Sequence, residues 1–156
     1  MLDLNYTLID KTPNSNYFYV DGLFSVEYSV EWTFSINDNL DIEDSSKYSD
    51  YKLSFKDKKD FNTQYVEDIP LKYFLYEDDL IDAAVELTYE SDIINNIEKN
   101  IDYNIKCTCL CYFDFENLEF IDNKDYYEGE YISDNISTTF NFEKSKILNY
   151  SLEKVK

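Results

Sequence analysis

Hydrophobic and polar residues alternate almost without a break from Phe24 to Ile36. Phe24, Val26, Tyr28, Val30, Trp32, Phe34 and Ile36 fall on one face, with Ser25, Glu27, Ser29, Glu31, Thr33 and Ser35 on the other. A period of two is that of a β-strand with one dry and one wet face. Fully extended, such a run spans about 40 Å. A bend, a bulge or service in two successive sheets is therefore expected. Asp21-Gly22 just ahead of it is a hairpin signal that pairs it with Tyr17 to Val20. A second run places Ile101, Tyr103, Ile105, Cys107, Cys109, Cys111, Phe113 and Phe115 on one face, opposed by Asp102, Asn104, Lys106, Thr108 and Asp114. Leu110 and Tyr112 interrupt its polar side.

Weaker strands read at Leu2 to Ile9, Tyr51 to Phe55, Tyr73 to Tyr76, Leu118 to Ile121, Ile136 to Phe142 and Leu148 to Leu152. Near Asp79 the period changes. Leu80, Ala83, Ala84 and Leu87 recur three and four apart, which predicts a helix with Asp79 as its N-cap. A second short helix is expected around Ile93, Ile94 and Ile97. Asn37 to Asp50 and the Lys-rich stretch Lys56 to Lys59 read as exposed connections. The pattern predicts a mainly β fold, an antiparallel sheet or β-sandwich with one or two short α-helices, or alternatively an α+β fold. At this length, residues 1–156 fit a single domain with one core.

Charge changes the picture most. The chain carries 33 Asp and Glu against 14 Lys and Arg, a formal net charge of -19, and has no histidine. An excess of that size repels itself in the folded state, so it points to a basic partner or to strong solubility pressure. The missing histidine removes the commonest general base and metal ligand. Ser and Cys nucleophiles thus lack a His base, and the two glycines, Gly22 and Gly129, cannot build a phosphate-cradling loop. Pairs of carboxylates suited to glycoside hydrolysis occur in any acidic chain and select nothing. The expectation is a protein that is not an enzyme and takes no cofactor. Direct nucleic-acid binding is disfavoured as well, because Lys56, Lys58 and Lys59 are too few and Asp57 and Asp60 sit among them.

Two acidic clusters hold much of the charge. Between Glu77 and Asp92 there are seven acids and no base. On a helix Asp79, Asp82, Glu86 and Glu90 line one face, with Asp78 beside them, at an axial spacing of roughly 4 to 5 Å. The structural account of these acids is dipole compensation at the helix start and solvation of its outer face. From Asp114 to Asp134 eight acids meet one lysine, Lys124, interleaved with Phe115, Phe120, Tyr126, Tyr127 and Tyr131. Tyrosine beside carboxylate suits a protein interface, where the ring gives rigid contact area and the acids pair with Arg or Lys. The partner-binding candidates are Asp78, Asp79, Asp82, Glu86, Glu90, Glu116, Glu119, Asp122, Asp125, Tyr126, Tyr127 and Glu128.

No metal site is expected. Asp122 to Asp125 and Asp38 to Asp41 lack the spacing and glycine of a calcium loop. Cys107, Cys109 and Cys111 recur at strand spacing, unlike zinc motifs, and read as buried small hydrophobes. Three cysteines cannot all pair within one chain, which favours a reducing cytosol. The sequons at Asn5, Asn135 and Asn149 are of a number that an Asn-rich chain produces by chance. The stretch from Met1 to Thr7 has no signal-peptide pattern, and no apolar run approaches the roughly 20 residues of a membrane span. These features predict a soluble cytoplasmic protein with no membrane partner.

The expected function is that of an acidic protein-binding inhibitor, most concretely a bacterial immunity protein that neutralises a basic nuclease toxin domain. In general character the chain resembles such proteins in being small, acidic and without catalytic equipment, a likeness of composition with no shared motif. A phage-type DNA mimic acting as an anti-restriction or anti-CRISPR factor, and a structural or assembly protein, are the alternatives.

Overall fold

The alternation from Phe24 to Ile36 forms part of a single long strand in the computed structural model, which describes residues 4–11, 17–44, 50–56, 60–66, 69–120 and 137–155. The elements in chain order are β1 (Leu4–Lys11), β2 (Tyr17–Ile36), β3 (Ile42–Asp44), β4 (Lys52–Phe55), β5 (Tyr65–Val66), β6 (Ile69–Pro70), α1 (Glu77–Tyr89), β7 (Tyr103–Phe120) and β8 (Ser137–Lys154). Short 3-10 turns at Phe61–Thr63, Leu71–Tyr73 and Asp92–Asn96 fill the connections. The fold is mainly antiparallel sheet with one α-helix. Its principal sheet has the order β1-β2-β7-β8, with β3 and β4 also pairing β2, while β5 and β6 form a separate two-stranded sheet. The layer facing the principal sheet is thus α1 and its flanking turns.

β2 is the spine. One edge runs antiparallel to β7 from Tyr17↔Phe120 to Phe34↔Tyr103, and the other is covered in turn by β1, β4 and β3. This succession of short partners is how so long a strand keeps both edges paired. It also overturns the hairpin expected at Asp21-Gly22. Those residues lie inside β2, paired to Thr7 and Tyr6 on one side and to Glu116 and Phe115 on the other. Glycine in a strand interior is compatible with pairing, and the two long ladders outweigh a local turn preference. Residues 12–16, which join β1 to β2, lie outside the described part of the chain.

The expected strand at Tyr73 to Tyr76 is instead the end of a 3-10 turn and the entry to α1. Leu118 is part of β7. Ile136 lies outside the described residues, while the remaining late segments, up to Leu152, belong to β8. β8 reads as two strands because it bulges: β7 advances from Leu110 to Tyr112 while β8 moves from Lys146 to Asn141, and Leu148 is passed over as well. Ser145 holds the bulge. Its Oγ accepts from Tyr112 N at 2.8 Å and donates to Asn141 O at 2.7 Å. β8 pairs only β7 among the described strands, and Lys144, Lys146 and Lys154 along it are the charges that discourage edge-to-edge association.

The dry faces of β2 and β7 meet α1. Phe24, Val26, Tyr28, Val30, Trp32, Phe34, Ile105, Cys107, Cys109, Cys111 and Phe113 are buried with Leu71, Leu80, Ala83, Ala84 and Leu87 in one cluster. Each large side chain buried this way contributes about 1.5–3 kcal/mol of transfer free energy. On the opposite face Ser29 Oγ and Thr108 Oγ1 share a hydrogen bond of 2.6 Å, and Glu31 stands in register between Lys106 and Lys52. Opposite charges across a ladder favour that register.

Tyr28 joins the layers. Its hydroxyl donates to Leu80 O at 2.6 Å and lies 3.2 Å from Cys111 Sγ. Burial pushes its phenol well above the usual range, and the Cys109 thiol is pushed up by its hydrogen bonds with Cys107 and Cys111 and by burial. The Cys107–Cys109 contact holds the Cys107 thiol down, so the two thiols offset and the phenol carries the effect. Tyr28 stays protonated in the native state at a pH where the unfolded chain has ionised, so the unfolded state binds fewer protons and stability falls as pH rises. The contribution is fully present below the ordinary phenol value of 10.0 and is lost above it, at about 1.4 kcal/mol per pH unit. Urea unfolding followed into the alkaline range is expected to show this decline, with a shallower slope above pH 10.0 in Tyr28→Phe. Equal slopes in the two proteins would mean that Tyr28 ionises as freely in the native state as in the unfolded chain.

Candidate functional site

α1 begins one residue beyond Tyr76, whose extended backbone at φ -95° and ψ 162° makes it the N-cap. Asp79 is therefore the third helical residue. Its Oδ2 accepts from Tyr76 N at 2.7 Å, while Asp79 N donates to Tyr76 O at 3.0 Å. This corrects the N-cap expected from sequence: the carboxylate caps by reaching back, half of a capping box. Glu77, Asp78 and Asp79 all sit in the first turn, where the macrodipole favours negative charge.

The rest of the helix divides cleanly. Leu80, Ile81, Ala83, Ala84, Leu87 and Thr88 are buried, and Thr88 Oγ1 donates to Ala84 O at 3.0 Å. Asp78, Asp79, Asp82, Glu86 and Glu90 are exposed, and so form the negative stripe that the spacing predicts. No basic residue occupies the last turn. Glu86 and Glu90 therefore meet the negative end of the dipole without compensation, and Asp82, Glu86 and Glu90 repel one another at successive four-residue steps. Dipole compensation accounts for the first three acids and not for these three.

Beside the stripe, α1 and β8 enclose a groove of about 310 Å³. Leu75, Ala83, Phe113 and Phe140 supply its apolar lining, and Asp79, Asp82 and Glu86 its acidic side. Thr138 also lines it, with an Oγ1 that is shielded from solvent and has no hydrogen-bond partner among the described residues. Phe140 lies tilted against Phe113 at 5.7 Å and meets the exposed Phe142 edge-on at 6.4 Å.

Asp114 and Glu116 of the second cluster are not part of this surface. Asp114 and Glu116 are exposed on the face of β7 opposite α1, and Asp114 Oδ2 accepts from Asn141 Nδ2 at 2.8 Å. Glu119 is placed in β7 opposite Phe18 by its backbone. Asp122, Asp125, Tyr126, Tyr127 and Glu128 lie outside the described residues.

Sequence reasoning missed the tyrosines next to the stripe. Tyr73 and Tyr76 are exposed, Tyr76 by 79%, immediately before Glu77, and Tyr65 is exposed as well. The signal was present as Tyr73, Tyr76 and three consecutive acids, and reading the segment as a strand concealed it. Cys107, Cys109 and Cys111 are free and buried, their side chains serving the core as expected. No group of three or more His, Cys, Asp or Glu among the described residues is arranged to hold a metal ion. No described helix is long and apolar enough to cross a membrane.

The fold and its surface define a mainly antiparallel β domain with an acid-faced helix beside an amphipathic groove. Protein-family models, characterised proteins and solved structures provide no match to the chain.

Proposed function

We propose that the chain is an acidic, stoichiometric protein-binding inhibitor, most concretely a bacterial immunity protein that covers the phosphate-binding or active-site surface of a basic nuclease toxin domain. The observation that carries this reading is the position of Glu86 and Glu90, exposed at the C-terminal end of α1 where the helix dipole opposes them, on the face that also presents Asp82. Charges kept at a cost in stability are those a partner uses. Tyr73 and Tyr76, exposed just ahead of the helix, supply the rigid aromatic contact area that protein interfaces favour. The three free thiols support a reducing compartment, the cytoplasm.

DNA mimicry uses the same charge but needs a track tens of ångströms long. The 13 residues of α1 supply about 20 Å, a compact patch that suits an inhibitor better. Immunity genes lie beside their toxin genes, so the test uses the product of the neighbouring gene. It is expected to be basic and to form a one-to-one complex with this chain in which its activity is lost, with association slowed by added salt. A neighbour that is not bound would contradict the immunity reading. On a sizing column the free chain is expected to keep one mass across concentrations, and mass that grows with concentration would favour assembly through β8.

A further inference from the structure

We infer that the groove between α1 and β8 receives one arginine side chain of the basic partner, with its guanidinium on the Phe140 ring and its N–H groups directed to Asp82 and Glu86. The inference rests on the acidic-inhibitor reading and names the residue type by which the partner is held. At about 310 Å³ the groove lies at the lower end of the roughly 300–1,000 Å³ of small-ligand sites, a size suited to one long side chain. Its lining is amphipathic in one direction: Leu75, Ala83 and Phe113 inside, carboxylates of α1 along the helix side. An occupant complementary to it has an apolar stem and a cationic head, which among side chains means lysine or arginine.

Three features select arginine. Phe140 offers an aromatic ring, on which a planar, weakly hydrated guanidinium stacks better than a compact ammonium. Asp82 and Glu86 are one helical turn apart, about 5–6 Å between Cβ atoms. A fork of five N–H donors can address both carboxylates where a single ammonium favours one. Asp79 contributes charge while its Oδ2 stays on Tyr76 N. Thr138, also in the wall, has a solvent-shielded Oγ1 with no hydrogen-bond partner among the described residues and so keeps unused capacity to accept.

The test is a titration of the isotope-labelled full chain, followed by backbone amide shifts, with acetyl-arginine amide and, separately, acetyl-lysine amide. Arginine is expected to move amides of residues 79–86 and 138–140 and to bind about three- to tenfold more tightly than lysine. Phe140→Leu should reduce that ratio to about one while keeping the groove apolar. Should Phe140→Leu disturb folding, Glu86→Gln, which leaves the core untouched, should weaken both probes by several-fold. Equal binding of the two probes, or shifts spread over acids throughout the chain, would overturn the groove assignment and leave a purely electrostatic partner surface standing. Localised arginine binding by a chain that forms no complex with any basic protein would uphold the groove and defeat the inhibitor reading.

Discussion

Replacing Trp32 with alanine is expected to remove about 3–5 kcal/mol of stability, a third or more of what a domain of this size commonly has. Trp32 is 1% exposed near the C-terminal end of β2, opposite Ile105 of β7. Its ring stacks on Tyr51 at 5.7 Å and lies 6.3 Å from Phe34. Truncation would leave a cavity bordered by a strand held to β7 along its length, which resists collapse into it. Trp32 Nε1 has no hydrogen-bond partner among the described residues, so Trp32→Phe, which removes that donor and keeps a ring, should cost far less than alanine. Urea unfolding followed by circular dichroism measures both, since the only tryptophan of the chain is the one removed. A loss below about 1 kcal/mol in Trp32→Ala would be incompatible with its place in this core.

The second large effect is on binding. Asp82→Asn, Glu86→Gln and Glu90→Gln combined should slow association with a basic partner by tenfold or more at low salt and flatten its salt dependence. Asp79 is left intact because its carboxylate caps the helix, and changing it would confuse a binding effect with a folding one. The same variant should melt about 2–4 °C higher, since it relieves repulsion at four-residue spacing and an unfavourable dipole contact. Higher stability with weaker binding is the signature of residues kept for function. Acids that served only to solvate the face would leave association unchanged.

Much of this was legible in the sequence, for reasons that can be traced to particular residues. The period of two in Phe24–Ile36 and Tyr103–Phe115 survives any tertiary context, because a one-residue slip would expose the entire dry face. The stripe on α1 was equally visible, since burial of Leu80, Ala83, Ala84 and Leu87 fixes which face the acids occupy. What escaped is what long-range pairing decides. Asp21-Gly22 carries a turn signal that two ladders override, and the β8 bulge at Ser145 makes one strand look like two. The groove was invisible for the same reason: Phe140 and Glu86 meet only because β8 pairs with β7 beneath α1. The separation of Glu116 from the helical acids likewise follows from strand parity in a sheet whose topology the pattern does not specify.

The central claim is that the acidic face of α1 holds a basic protein partner. Its most direct test is capture from native cell lysate on two columns, one bearing the wild-type chain and one the Asp82→Asn, Glu86→Gln, Glu90→Gln variant. Both are loaded at low salt, eluted by a salt gradient and analysed by mass. One basic protein is expected to be retained in equimolar amount by the wild type, released as salt rises and absent from the variant column. Identical eluates from the two columns, or no retained basic protein on either, would contradict it and return the charge of α1 to solubility.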